Sequence, residues 1–93
     1  MANYQLSLEA ENDIAAVFEY GIMQFGFEQA LDYHNALETH FTEMAKNPLH
    51  YMKVDHISLG SRRSVFRVHS IYFCLTEHGI FIERVIGRQN FNT

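Results

Sequence analysis

The first half of the chain places apolar residues at helical intervals, and the last third places them at alternate positions. Ile14, Val17, Phe18, Ile22 and Phe25 form one stripe at spacings of 3, 1, 4 and 3, which predicts a helix from about Leu8 to Gln24. Ser7 stands where its side chain can cap that helix, with Glu9 and Glu11 in the acidic first turn. Ahead of it, Tyr4-Gln5-Leu6-Ser7-Leu8 alternates as a short strand does. Gly26 marks a tight interhelical turn. A second stripe follows through Ala30, Tyr33, Leu37, Phe41, Met44 and Ala45. Lys46 complements that helix's dipole, and Asn47-Pro48 ends it because proline disfavours a helical residue before it. So short a turn between two helices predicts an antiparallel hairpin.

Leu49 to Gly60 shows no clear period and reads as a loop with at most a short extended piece. Three strands are expected after it, at about Arg62–Val68, Ser70–Thr76 and Ile80–Ile86, with Glu77-His78-Gly79 as a hairpin turn. Strict alternation puts Ile80, Ile82 and Ile86 on one side of the last strand and Phe81 and Val85 on the other, so it is expected to be buried on both faces. The order β-α-α-β-β-β defines an α+β fold. The N-terminal helical hairpin should pack on one face of an antiparallel sheet and leave the other face without a cover from the chain itself.

Composition narrows the function. The 93 residues make one domain, residues 1–93, and the apolar fraction of 47% suits a folded globule. A core this small is marginal, and a partner covering one face is plausible on that ground. The single cysteine, Cys74, excludes an internal disulfide. The N-terminus has neither the basic nor the apolar region of a secretion signal, and no stretch approaches the ~18 apolar residues of a membrane span, so a soluble cytoplasmic protein is expected. Six histidines invite a metal, but His34 and His40 are six apart rather than three or four, and no carboxylate or cysteine cluster stands at ligand spacing. No metal and no cofactor is expected. His69, at a strand start, is expected to be structural, bonded to nearby backbone. Cys74, Met23, Met44, Met52, Phe18, Phe25, Phe41 and Phe73 are expected to be packing residues.

Charge is unevenly spread. Residues 1–59 hold two lysines against nine acids, whereas residues 60–93 hold all five arginines against two acids. Arg62, Arg63, Arg67, Arg84 and Arg88 thus give the last third a positive balance inside a chain of net charge −4. Arginine offers a planar fork suited to carboxylates and phosphates. The function is therefore sought on the sheet rather than on the helices.

Several ordered fragments carry a family resemblance: Leu6-Ser7-Leu8-Glu9-Ala10, Asp13-Ile14, Tyr20, Ala30, Tyr33, Leu37, Phe41, Ala45 and Asn47-Pro48. Gly60-Ser61-Arg62-Arg63, His69-Ser70-Ile71-Tyr72-Phe73 and Arg84-Val85-Ile86-Gly87-Arg88-Gln89 are the more specific part. In this order and spacing the chain resembles the ParE-like toxins of the RelE/ParE superfamily of bacterial toxin–antitoxin systems. It departs from the family's pattern at Ser64-Val65, where Phe-Pro is common, and at Asn90, where Asp is common.

The resemblance implies a non-enzymatic toxin that binds DNA gyrase, traps its cleaved-DNA intermediate and arrests growth, with no sequence-specific nucleic-acid binding of its own. It also implies a cognate antitoxin whose C-terminal segment wraps the toxin. Arg62, Arg63, Arg67, Arg88, Gln89 and Phe91 are the expected target contacts, since arginine and aromatic residues anchor interfaces. Arg62, Arg63, Arg67, Tyr72 and Arg84 are the expected antitoxin contacts, with acidic antitoxin residues pairing to the arginines. A RelE-type ribosome-dependent mRNA interferase is the alternative. Cleavage at a 2′-hydroxyl needs a proton acceptor and donor, and none of Tyr4, Tyr20, Tyr33, Tyr51 and Tyr72, nor any histidine, follows the last strand. A degenerate homologue that binds antitoxin without toxicity is a third reading.

Overall fold

The computed structural model describes residues 3–87. Strand β1 (Asn3–Leu6) leads into helix α1 (Leu8–Phe25), which turns at Gly26 into helix α2 (Phe27–Lys46). A single 3₁₀ turn (Pro48–His50) and a two-residue strand β2 (Met52–Lys53) precede β3 (Ser61–Phe66), β4 (His69–Thr76) and β5 (Gly79–Gly87). The sheet order is β1-β5-β4-β3-β2. Strands β2 to β5 are antiparallel neighbours, but β1 runs parallel to β5, so the sheet is mixed. The expected helix–helix–strand order holds, and the short extended piece of the loop is β2.

The caps explain where the helices begin and end. Ser7 Oγ accepts the Ala10 backbone N–H at 2.9 Å and donates to the Glu83 carbonyl at 2.7 Å, so one hydroxyl starts α1 and ties it to β5. Gly26, at φ 92, takes the left-handed region that a non-glycine residue enters at a cost, and its N–H closes α1 on the Ile22 carbonyl at 2.9 Å. A Cβ added at Gly21 would meet the Ala30 Cβ at 3.2 Å, which is why the two helices can lie so close.

Both helices cover one face of the sheet. The core joins Ala10 and Ile14 of α1, Leu37, Phe41, Met44 and Ala45 of α2, and Ile71, Phe73, Ile80, Ile82 and Val85 of the sheet. Burying a side chain the size of Leu37 or Phe41 stabilises by about 1.5–3 kcal/mol relative to leaving it exposed.

The last strand departs from the expected alternation. Tyr72 lies opposite Arg84, but the next residue, Phe73, lies opposite Ile82, so Glu83 is an extra residue on β5. The bulge reverses the side-chain faces beyond it. Val85 therefore joins Ile80 and Ile82 in the core, and Ile86 turns to the other face with Phe81. The strand is deeply buried on the helix side only, with Phe81 and Ile86 half-buried.

The α1 stripe is also covered less than expected. Ile14 is buried, Val17, Phe18 and Ile22 are half-buried, and Phe25 is exposed at the hairpin tip. Met44 is fully buried, whereas Met23 and Met52 are exposed, so only one of those three methionines is a packing residue.

Candidate functional site

Two surfaces follow from this layout, one on each side of the sheet. On the helix side, the uncovered part of the α1 stripe walls a groove of about 520 Å³. Val17 and Phe18 of α1, Ala30 and Tyr33 of α2, Val68 of the β3–β4 turn, and His69 and Gly87 of the sheet line it.

Tyr33 and His69 are the polar anchor of this groove. The Tyr33 hydroxyl and His69 Nδ1 lie 2.5 Å apart, and burial keeps His69 below the ordinary histidine value of 6.5 and Tyr33 above the ordinary tyrosine value of 10.0. Neutral His69 can thus accept the tyrosine proton as a hydrogen bond. The partner of His69 is a side chain of α2 rather than the nearby backbone expected for it. A parallel pair sits further along α2, where His40 Nε2 and Ser64 Oγ are 2.6 Å apart. Among the described residues no group of three or more histidine, cysteine, aspartate or glutamate side chains could hold a metal ion.

The arginines are divided by the two-residue period of β3. Arg62 faces the helix side, where its Nη1 donates to the Tyr51 carbonyl at 2.8 Å. Arg63 faces the open side, and its Nε donates to Ser70 Oγ at 3.2 Å. Arg67 stands in the turn between β3 and β4 at φ 54, a left-handed conformation that a long side chain adopts at a cost of about 1–3 kcal/mol. Its guanidinium lies 5.2 Å over the Tyr33 ring and 5.0 Å over the Phe66 ring, on the rim of the groove. Arg84 makes a two-nitrogen contact with Asp13 of α1, at 2.8 and 3.1 Å. Arg88, Gln89 and Phe91 lie outside the described residues.

Asp13 is the member of this set that sequence reasoning did not single out for a role. Because β1 stops at Leu6, the outer edge of β5 beyond Ile82 has no strand beside it. The Asp13 carboxylate fills that place by accepting the Val85 N–H at 2.9 Å, and the Arg84 fork holds it there. The Asp13 contact also raises the Arg84 value further.

On the open side, the register sets side chains in rows. Ser61, Cys74 and Phe81 form one row, Arg63, Tyr72 and Arg84 the next, and Val65, Ser70 and Ile86 the third. Ser61 Oγ donates to the Glu83 carboxylate at 2.7 Å, so the bulge residue is held by a side chain of β3. Burial, then the nearby Glu83 charge, keeps the Cys74 thiol protonated above its usual range.

The architecture is a two-helix hairpin laid on one face of a small mixed sheet. The family follows from comparison: the model of the ParE toxin of type II toxin–antitoxin system, parDE, matches residues 4–90. The chain belongs to the ParE toxin family. Among solved structures it is similar to the chromosomal ParDE TA system from P. aeruginosa, at a TM-score of 0.80 and 17% identity, over 94% of this chain and 96% of that one. At that identity the likeness concerns the fold. No curated protein matches the sequence. No helix among the described residues is long and apolar enough to cross a membrane.

Proposed function

We propose that this chain is the toxin of a type II toxin–antitoxin pair, that it arrests growth by binding DNA gyrase without catalysing a reaction itself, and that it acts in the cytoplasm. Membership of the ParE family over residues 4–90 is the observation that carries this reading. The chemistry of the sheet supports binding over cleavage. On the open face the described ionisable groups are Arg63, Tyr72, Cys74, Glu83 and Arg84, and the Glu83 carboxylate is engaged by Ser61. Arginine is a poor proton acceptor at neutral pH. Among the described residues the imidazoles kept neutral by burial beside a tyrosine, His69 with Tyr33 and His40 with Tyr51, both lie on the opposite side.

The antitoxin segment is proposed to occupy the groove beside the helical hairpin, with its acidic residues toward Arg67. An amphipathic segment laid in an apolar groove gains area from Val17, Phe18 and Val68, and Arg67 on the rim supplies the charge. Arg63 and Tyr72, with the segment Arg88–Thr93, are assigned to the target; Arg84 stands between the surfaces because Asp13 holds it. Purified protein added to gyrase and relaxed plasmid is expected to block supercoiling and accumulate cleaved DNA while leaving ribosome-bound mRNA intact. Cleaved mRNA with normal supercoiling would instead establish the interferase reading.

A further inference from the structure

The stretch from Leu49 to Leu59 leaves its large apolar side chains uncovered. Leu49 is 70% exposed, Met52 77%, Ile57 58% and Leu59 90%, four side chains within eleven residues. Single exposed apolar residues are ordinary, but a run of them marks an interaction surface. None of the four lines the groove beside the helical hairpin. Met52 pairs with Arg63 in the register, so its side chain stands on the open side of the sheet, at the end of the row that continues through Arg63, Tyr72 and Arg84. Ile57 and Leu59 lie in the connection from β2 to β3. That connection is tied to itself. The Val54 N–H donates to the Ser61 carbonyl at 2.9 Å, and the Ile57 and Ser58 N–H groups both reach the Val54 carbonyl, at 2.8 and 3.0 Å. The Gly60 N–H donates to Asp55 Oδ1 at 2.9 Å. Val54 itself is buried, and Tyr51 packs its ring against His40 and Phe73. The apolar residues are therefore displayed from an anchored base, and docking them costs little ordering.

We infer that this segment is an apolar knob that seats Ile57 and Leu59 in a hydrophobic cleft of the protein the toxin acts on, extending the contact of the open face through Met52. The inference rests on the reading that the open face meets the target, and it adds the residues that give that contact an apolar part. Continuity selects this occupant, since Met52 shares its row with Arg63 and Tyr72, which are assigned to the target. Charge points the same way. Between Leu49 and Gly60 the fixed charges are Lys53 and Asp55, one of each sign, so the segment offers no field to a nucleic acid or an anionic lipid surface. An acidic antitoxin segment meets its cation at Arg67 on the groove rim instead. A second copy fits poorly. With Met52 and Val54 bonded toward β3, the backbone groups of Lys53 turn to the free edge of the sheet, and an antiparallel copy centred there would set lysine against lysine.

Growth arrest by the full chain tests the knob, because that readout needs no prior choice of target. The unaltered chain and a double variant, Ile57→Ser with Leu59→Ser, are each expressed without antitoxin in a bacterial host, and each purified protein is added to gyrase and relaxed plasmid. Both side chains are exposed, so the double variant is expected to keep its thermal midpoint. It is expected to need roughly 10-fold more protein for the same arrest and the same inhibition, the loss for two truncated interface anchors, and to bind the cognate antitoxin within about twofold of the unaltered chain. Leu8→Ser, which removes a comparably exposed side chain at the start of α1, is expected to change none of these. Arrest by the unaltered chain with normal supercoiling would fail the gyrase reading alone, and the growth comparison would still decide the knob. Arrest by the double variant at the level of the unaltered chain would overturn the inference. A loss of antitoxin affinity alongside it would give the segment to the antitoxin, and a dimer lost alongside it would give it to a second copy. An unaltered chain that arrests no growth would overturn the inference together with the gyrase reading.

Discussion

At the scale of single residues, buried His69 and half-buried His40 make the clearest prediction. His40 and His69 are both held below 6.5, His40 by burial with a smaller opposing influence from Glu43, and His69 by burial alone. The unfolded chain takes up protons near pH 6.5 that the folded chain resists, so it binds more protons wherever the two differ. Stability is therefore full above pH 6.5 and falls as the pH drops below it. Urea unfolding at a series of pH values from neutral to about 5 is expected to show this decline, and a His69→Gln variant is expected to show a flatter one. Equal slopes in the two proteins would show that His69 takes up its proton as readily when folded as when unfolded.

At the scale of elements, β1 is the most exposed to failure. It is four residues long and joins the sheet at its outer edge, parallel to β5. It approaches so closely that a Cβ added at Gly79 would sit 1.8 Å from the Asn3 carbonyl oxygen. That oxygen is backbone and cannot swing aside, so Gly79→Ala is expected to displace the strand and cost about 1–3 kcal/mol, read as a fall in the thermal midpoint. The helices, their caps and the β3–β4–β5 meander were legible in the sequence because each has a local signal: a stripe of period 3.6, a serine at Ser7, Asn47-Pro48, or strict alternation. The bulge at Glu83 was not, since an extra residue is set by the hydrogen bonds of Ser7 and Ser61 with it, which come from residues distant in the chain. It changed the account of Val85 and Ile86 for that reason. The groove was hidden by the same kind of cause. The α1 stripe looks like core all along its length, and only the position of the sheet beneath it decides that Val17 and Phe18 stay partly open.

At the scale of the whole molecule, the arginine-rich end of the chain resolves into two opposed surfaces. Adjacent Arg62 and Arg63 point to opposite sides, Arg67 leans over aromatic rings at the groove, and Arg84 is tethered at the sheet edge. A sequence shows that these residues are many and close; it takes the register to show that they do not form one patch. The central claim is that the groove serves neutralisation and the open face serves the target. One gyrase supercoiling titration with Val17→Glu and Arg63→Gln, each with and without the cognate antitoxin, tests it most directly. Val17→Glu is expected to inhibit gyrase as the unaltered chain does while resisting the antitoxin, because a carboxylate has been placed in an apolar wall. Arg63→Gln is expected to inhibit several-fold more weakly and still to bind the antitoxin. Loss of inhibition by Val17→Glu with antitoxin binding intact, or loss of antitoxin binding by Arg63→Gln with inhibition intact, would contradict the assignment of the two faces.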